Sequence, residues 1–299
     1  MSRESVHIYI LQRFASVRVF AQNGKLAPHK PLLLLYALSR LKNEKAVRIT
    51  FNEAEVAVNP LLQTYGPFNT KTTVAYPYNR LANDKSKVWW VEDHKRDASG
   101  NLYITEARDK HLQAGFLDDI LKAFEQSPKL IDLVAINILE RNFPPSLHAD
   151  ILEAVELFLG QGELESIERQ KRDPKFRNII LAAYYEQCAI CHYDLKMNGM
   201  SVALEAAHIK MHAGGGPDMV TNGLALCSTH HKLFDLGAVT LDGQLNIRVS
   251  ERVVGDWGRR LTDEFHGKPI AMPRQDSMSP EREFTEWHND QIFKGVVAE

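Results

Sequence analysis

Apolar and polar positions in the first hundred residues predict two helices followed by short strands. The opening stretch MSRESVHIYILQRFASVRVF places apolar residues at helical spacing among charged ones. This pattern predicts an amphipathic helix, and the lack of a small-residue cleavage site argues against a signal peptide. Residues 29–42 predict a buried helix with Pro31 in its first turn. The segments VRITF and KVWWVE have the β-branched and aromatic character of strands.

The pattern is helical from about residue 103 to 160, including the segment LQAGFLDDILKAFEQ at 112–126. A polar stretch that begins with glycines, GQGELESIERQKRDPK, follows and has no hydrophobic face. We therefore predict a domain of residues 1–160, a linker of 161–175 and a second domain of 176–299. The expected fold class is α+β, with a mixed α/β first domain and a smaller second domain.

Composition is that of a soluble globular protein, with 44% hydrophobic and 25% charged residues among 299. No apolar run approaches the about 20 residues that a membrane helix needs. The chain has three cysteines and no export signal, which indicates a reducing cytoplasm. In that compartment a cysteine pair predicts a metal site rather than a disulfide.

The net charge of −2 conceals an uneven distribution. Residues 1–96 contain 15 Lys and Arg against 7 Asp and Glu, and residues 97–168 contain 5 against 14. A basic first third is suited to a polyanion partner, although charge runs of this size also occur on ordinary solvated faces.

Two short motifs, CAIC and CSTHH, predict a zinc site. Two cysteines separated by two residues can bind one zinc ion together, and a tetrahedral site needs two further ligands. Cys227 and His230 repeat the same gap, so the predicted structural zinc ligands are Cys188, Cys191, Cys227 and His230. His231 lies about 100° further around the helix and faces elsewhere. Because Cys227 and His231 are also one helical turn apart, an exchange of roles between the two histidines stays open.

The residues between the two motifs contain a histidine at the end of a predicted strand, His208, and an asparagine after a glycine-rich loop, Asn222. This part of the chain resembles the HNH (ββα-metal) endonucleases. The resemblance rests on His208, Asn222 and His231, set within paired zinc ligands, and on the fragments AHI, NGLALC and HHKLFD. The resemblance implies a zinc-braced nuclease domain with a divalent catalytic ion.

The HNH resemblance also implies a role for each residue. His208 would be the general base that activates water, and His231 would bind the catalytic ion. Asn222 would hold the loop, although turn chemistry alone could also explain it. Many family members have an acidic metal ligand where this chain has Ala207, so Glu205 is the candidate second ligand, with bracing of the loop as its alternative role. A site with few carboxylates favours Mn²⁺ or Co²⁺ over Mg²⁺.

The first domain resembles the sulfur-binding domain of Mcr-type restriction endonucleases, through APHKPLLLLYAL, AYPYNRL and VWWVE. The resemblance implies recognition of double-stranded DNA whose backbone carries a phosphorothioate. A poorly hydrated sulfur requires an apolar cup beside cations. The candidate sulfur- or DNA-binding residues are His29, Lys30, Tyr76, Pro77, Arg80 and Arg108.

Ordinary structural roles compete with several of these assignments. Tyr76-Pro77 is also a common turn, residues 29–31 an ordinary helix start, and Trp89-Trp90 a core pair. Arg80 stands where the family can have a small residue, so either it turns outward or the cup differs.

The sequence therefore predicts a modification-dependent DNA endonuclease of restriction defence, acting in the cytoplasm. A homodimer would suit cleavage of both strands. Two alternatives stay open: an HNH nuclease for methylated or hydroxymethylated cytosine, and a zinc-braced DNA-binding protein without activity.

Overall fold

The computed structural model describes residues 3–22, 25–66, 73–160, 174–256 and 258–297. By their contacts these residues form two compact units, one from residues 1–143 and 148–168 and the other from 144–147 and 169–299. Most of the predicted linker, residues 161–173, lies outside the described residues. In the described part of the chain, no helix is both long and apolar enough to span a bilayer.

The first unit consists of helices around a small antiparallel sheet. Its described helices are α1 (Arg3–Ala15), α2 (His29–Glu44), α3 (Phe51–Tyr65), α4 (Ala75–Arg80), α5 (Ile104–Asp109), α6 (Asp118–Gln126), α7 (Lys129–Asn142) and α8 (His148–Ala154). Its described strands are β1 (Phe20–Gln22), β2 (Lys25–Ala27), β3 (Ile49–Thr50), β4 (Trp89–Val91) and β5 (Gln113–Phe116). Strands β1 and β2 pair as a hairpin, and the second sheet has the order β3-β5-β4.

The strand predicted from VRITF is shorter than its sequence suggests. Thr50 ends β3 and also caps α3, since its hydroxyl accepts from the Glu53 amide while the Glu53 carboxylate accepts from the Thr50 amide. This capping box starts the helix at Phe51, whose side chain is buried.

The prediction of helix through residues 112–126 was wrong for its first part, because residues 113–116 form the central strand β5. The sheet is packed so closely that a Cβ on Gly115 would lie 2.4 Å from the Val47 carbonyl oxygen. Only glycine fits this approach, and glycine also weakens a helix. Tertiary pairing therefore outweighs the helical pattern of the neighbouring residues.

An aromatic cluster forms the centre of the first unit. Tyr78 lies edge-to-face against Phe51, with ring centroids 5.3 Å apart, and Trp89 contacts Phe116 in the same way at 5.6 Å. Trp89 is buried, whereas Trp90 is half-buried beneath the Arg48 guanidinium. The Tyr78 hydroxyl lies 2.9 Å from the Ile49 carbonyl oxygen and 2.6 Å from that of Leu112, so it links α4 to the chain around the sheet.

The second unit is built around two short antiparallel strands and the helix that follows them. Its described helices are α9 (Pro174–Ala183), α10 (Ser228–Asp235) and α11 (Arg282–Gln291). Its described strands are β6 (Lys196–Met197), β7 (Met200–Ser201), β8 (Leu204–His208), β9 (Gly223–Cys227), β10 (Val239–Leu241) and β11 (Ile247–Val249). Strands β6–β7, β8–β9 and β10–β11 form three antiparallel pairs. The α+β class is confirmed.

We expect the substitution Tyr78→Phe to lower the free energy of unfolding of the first unit by about 1–2 kcal/mol, because it removes a buried donor from two carbonyl oxygens. Urea denaturation followed by tryptophan fluorescence measures the change. Tyr103→Phe, at a half-exposed tyrosine, is the matched control. Equal stability of the two variants would contradict the expectation.

Candidate functional site

Four of the predicted ligands come together beside strand β9. Cys188 and Cys191 lie on the turn after α9, where the His192 amide donates to the Cys188 carbonyl. Cys227 is the last residue of β9 and directly precedes α10, which contributes His230. One ligand atom from each residue lies within 4.8 Å of the other three.

The spacing of these four side chains is suited to zinc. Ligands about 2.3 Å from a tetrahedral ion are about 3.8 Å apart. The Cys191 and Cys227 sulfurs are 3.9 Å apart, and the His230 Nδ1 lies 3.7 Å from the Cys188 sulfur and 3.2 Å from the Cys227 sulfur. The Leu261 carbonyl accepts from the His230 Nε2 at 2.8 Å, which leaves Nδ1 for the ion. The cluster could therefore hold zinc.

The adjacent His231 belongs to a different group. Its Nδ1 lies 2.7 Å from the Glu205 carboxylate and its Nε2 lies 3.2 Å from the Asp235 carboxylate. Burial alone lowers the pKa of His231, but the charges of Asp235 and Glu205 and their hydrogen bonds raise it to about 10. His231 thus lies between two carboxylates, with Glu205 at Nδ1 and Asp235 at Nε2, so each carboxylate contacts a different nitrogen of the ring.

Strand geometry explains how Glu205 reaches this group. Side chains two residues apart point to the same face of a strand, so Glu205 shares its face with Ala207. Glu205 therefore offers a carboxylate on the same face of the strand, two residues before Ala207. The Ser228 hydroxyl donates to Glu205 at 2.8 Å and orients it at the start of α10.

His208 lies at the end of β8, opposite Gly223. Its Nε2 is 2.7 Å from the Asp218 carboxylate, and its ring stacks on Phe176 with centroids 4.0 Å apart and planes 7° from parallel. The exposed His212 also contacts Asp218, at 3.0 Å. Burial lowers the pKa of His208, while the hydrogen bond that His208 donates to Asp218 opposes that shift without cancelling it.

Asn222 is fully buried and holds the loop between β8 and β9. Its Oδ1 accepts from the Lys210 amide at 2.8 Å, and its Nδ2 donates to the Lys210 and Pro217 carbonyls at 3.0 and 2.9 Å. Gly216 lies in this loop at a point where a Cβ would be 1.7 Å from the Lys210 oxygen. The loop that carries Asp218 is therefore fixed at both ends.

Sequence reasoning missed Asp218 and Asp235. Asp235 had a signal, because it lies one helical turn after His231 on α10. Asp218 had none in the sequence, since its proximity to His208 follows from the path of the glycine-rich loop.

The candidate sulfur-binding residues of the first unit are distributed over α2, α4 and α5. Tyr76 is half-buried and Pro77 is buried, so the ring surface that α4 offers to solvent at this point is that of Tyr76. Arg80 is exposed and lies over the Tyr76 ring, 5.4 Å from its centroid. It also donates to Asn101 at 3.0 Å. Arg80 therefore covers the tyrosine ring.

The other three candidates occupy different settings. His29 is the first residue of α2. The next residue, Lys30, forms an ion pair with the buried Asp84, and Arg108 donates twice to Glu55, at 2.7 and 2.9 Å. The charges of Lys30 and Arg108 are thus partly compensated within the chain. Arg108 lies on α5, whereas Tyr76, Pro77 and Arg80 lie on α4.

Two family models match the chain. The model described as ScoMcrA-like, DNA sulfur-binding domain matches residues 8–159, and the model described as HNH endonuclease matches residues 188–242. The second unit therefore contains an HNH domain, and the protein is an enzyme of the DNA endonuclease class. Since the first model matches half of the chain, the protein belongs to the family with a ScoMcrA-like DNA sulfur-binding domain. Both resemblances drawn from the sequence are confirmed.

The solved structures that match the chain include sulfur-binding domains complexed with phosphorothioated DNA. The ScoMcrA domain is 22% identical, with a TM-score of 0.43 over 49% of this chain and 94% of that chain. The SprMcrA domain is 16% identical, with a TM-score of 0.41 over 52% and 98%. The type IV phosphorothioation-dependent restriction endonuclease ScoMcrA is 13% identical, with a TM-score of 0.39 over 75% and 93%. With TM-scores below 0.5, these structures add nothing to the family assignment. No curated protein matches the chain.

We expect His208 in the metal-free protein to titrate with a pKa below 6.5, because burial disfavours its charged form. The folded state is then destabilised as the pH falls from 6.5 through the lowered pKa. Carbon-13 NMR of the histidine rings measures the pKa, and loss of one signal in His208→Ala assigns it. A pKa at or above 6.5 would contradict the expectation.

Proposed function

We propose that this protein recognises phosphorothioated double-stranded DNA with its first unit and hydrolyses a nearby phosphodiester bond with its second, as a restriction defence. The observation that carries the proposal is the joint presence of a sulfur-binding-domain match and an HNH match, with His208 and the Glu205–His231 pair on one strand–strand–helix unit. The basic first third of the sequence supports binding to a polyanion.

In the first unit, discrimination would depend on the difference between sulfur and oxygen. Sulfur is larger and less hydrated, so an apolar surface stabilises it while nearby cations attract the remaining charge. Tyr76 would offer that surface, with Pro77 behind it. Arg80 would have to turn away from the tyrosine ring to admit the sulfur. His29 and Lys30, at the start of α2, and Arg108 would contact the DNA.

In the second unit, His208 would act as the general base. The oxygen of a water molecule would form a bond to phosphorus as its proton passes to His208, and the bond from phosphorus to the 3′ oxygen would break. Asn222 would fix the loop beside the base. Glu205 and His231 would hold a divalent ion, which neutralises charge on the scissile phosphate and the leaving oxygen when bound. Imidazole ligation favours Mn²⁺ or Co²⁺, with Mg²⁺ as the alternative.

The cluster of Cys188, Cys191, Cys227 and His230 would bind a structural Zn²⁺ ion. It ties the turn after α9 to the junction of β9 and α10, so the zinc would brace the same strand that pairs with β8. Thiolate ligands need a reducing compartment, so we place the protein in the cytoplasm. Cleavage of both strands would suit a homodimer.

Three matched duplexes test the function: one with a phosphorothioate, one unmodified and one with methylated cytosine, each with Mg²⁺, Mn²⁺ and Co²⁺. We expect cleavage of the phosphorothioate duplex alone. His208→Ala should reduce its rate roughly 10²- to 10⁴-fold and leave binding unchanged, since a general base contributes about that much. The control is His192→Asn, at an exposed residue with φ of 60°, which asparagine tolerates.

Other outcomes of this assay have definite meanings. Cleavage of the methylated duplex alone would overturn the sulfur specificity and retain the nuclease. Sulfur-dependent binding without cleavage in any ion, and without an effect of His208→Ala, would make the protein a DNA-binding protein that lacks activity.

We expect Cys188→Ala to lose bound zinc and the cooperative unfolding of the second unit, because ligation by four side chains contributes directly to folding. Elemental mass spectrometry gives zinc per chain, and thermal circular dichroism follows unfolding. His192→Asn is again the control, next to the cluster but outside it. A Cys188→Ala variant that keeps both zinc and stability would refute the structural site.

A further inference from the structure

The contacts around His208 go beyond what its role as a base requires. One edge of the ring meets the Asp218 carboxylate at 2.7 Å, and one face lies flat on Phe176. Phe176 is buried and lies in the first turn of α9, whereas Asp218 comes from the β8–β9 loop. Two separate parts of the chain thus hold a single imidazole.

We infer that Asp218 and Phe176 are positioning residues that hold His208 in one tautomer and one ring orientation, with Nδ1 directed to the attacking water. The inference rests on the proposed role of His208 as the general base. It adds two residues, neither of which is among the metal ligands proposed above.

The tautomer follows from hydrogen-bond chemistry. An ionised carboxylate can only accept a hydrogen bond, so the Asp218 contact requires the hydrogen to be on Nε2 of His208. In the neutral ring the lone pair is then on Nδ1, which can take a proton. A carboxylate in this position also stabilises the imidazolium formed when His208 accepts the proton from water.

The orientation follows from packing. A ring stacked at 4.0 Å and 7° cannot rotate about its Cβ–Cγ bond without losing its contact with Phe176. Helix α9 reaches this position because residue 223 is glycine. A Cβ there would lie 2.2 Å from the Ile180 side chain and 3.0 Å from the Phe176 ring. Gly223 is also the strand partner of His208, so the close approach of α9 occurs directly beside the base.

A metal site is the competing explanation, because His208, His212 and Asp218 each place a ligand atom within 4.8 Å of the others. Two ligands about 2.1 Å from a common octahedral ion would be about 3 Å apart. The 2.7 Å between His208 and Asp218 is the length of a charge-assisted hydrogen bond, but Glu205 and His231 are equally close, so this distance alone does not decide between the two roles. His212 is 60% exposed, which suits a surface residue better than a metal ligand.

The charges that act on His208 fix the sign of the pH effect. Asp218 and Asp235 raise the pKa of His208, and the loop residue His212 lowers it. Phe176, which stacks on a face of the ring, carries no charge. Removing the charge of Asp218 should therefore lower the pKa of His208, so the acid limb of a cleavage profile should move to lower pH.

The experiment measures single-turnover cleavage of the phosphorothioate duplex against pH for the full chain and for Asp218→Asn, Phe176→Ala and Phe176→Tyr. We expect Asp218→Asn to reduce the plateau rate roughly 10- to 100-fold, as outer residues around a catalytic group typically do, and to move the acid limb to lower pH. Phe176→Ala should lower the plateau and Phe176→Tyr should restore it, with DNA affinity and zinc content unchanged. Asp256→Asn, at an exposed aspartate, is the control.

Nitrogen-15 NMR of histidine-labelled protein provides a readout that does not depend on cleavage. We expect His208 to carry its hydrogen on Nε2 in the wild type and in His212→Gln, and to become a mixture of tautomers in Asp218→Asn. A hydrogen on Nδ1, or an unchanged tautomer and acid limb in Asp218→Asn, would overturn the inference. A second Co²⁺ ion per chain that is lost in both His212→Gln and Asp218→Asn would replace it with a metal site.

These results are distinguishable from failure of the proposed function. If the wild type cuts no duplex, or His208→Ala cuts as fast as the wild type, the general base has been misassigned. The inferred base-positioning role is then overturned with it, even if NMR finds the Nε2–H tautomer. If cleavage depends on His208 but not on Asp218 or Phe176, only the positioning role is wrong.

Discussion

The pairing of β8 with β9 is the interaction on which the chemistry of the second unit depends. Its register runs from Leu204 opposite Cys227 to His208 opposite Gly223. One end of the strand pair therefore holds Cys227, a member of the cysteine and histidine cluster, and the other end holds His208. A shift of one residue would turn every side chain of β8 to the opposite face and separate Glu205 from His231. The loop bonds of Asn222 set this register at the end where the strands part.

The two histidines of the CSTHH motif show how one helix serves two purposes. The Nδ1 of His230 faces the cysteines, and its Nε2–H donates a hydrogen bond to the Leu261 carbonyl. His231 lies about 100° further around the helix and contacts Glu205 and Asp235. Helix α10 thus links the cluster of three cysteines and His230 rigidly to the group formed by His231, Glu205 and Asp235. Loss of the cluster would consequently displace His231 even though the two groups share no side chain.

The sequence was sufficient for the parts of this site that depend on short spacings. The Cys-x2-Cys and Cys-x2-His spacings and the strand ending at His208 follow from local periodicity, whereas the sequence left open which of His230 and His231 joins the cysteines. Asp218 does not, because its contact with His208 depends on how a loop with three consecutive glycines folds back. Strand β5 was missed for a similar reason: Gly115 is explained only by the carbonyl of Val47, a residue far away in sequence. Local pattern fails where a distant backbone group determines the conformation.

Charge counts from the sequence also need the structure before they can be related to DNA. The basic excess of the first third includes side chains that form ion pairs within the first unit, among them Arg13, Lys30, Arg40 and Arg48. A cation paired with a carboxylate releases fewer counterions when it approaches a phosphate than an unpaired one does. The number of phosphate contacts, and hence the salt dependence of binding, should therefore be smaller than a count of Lys and Arg implies. The sulfur specificity proposed above would then depend on a few positions such as Tyr76 and Arg80, where an apolar ring and a cation lie together.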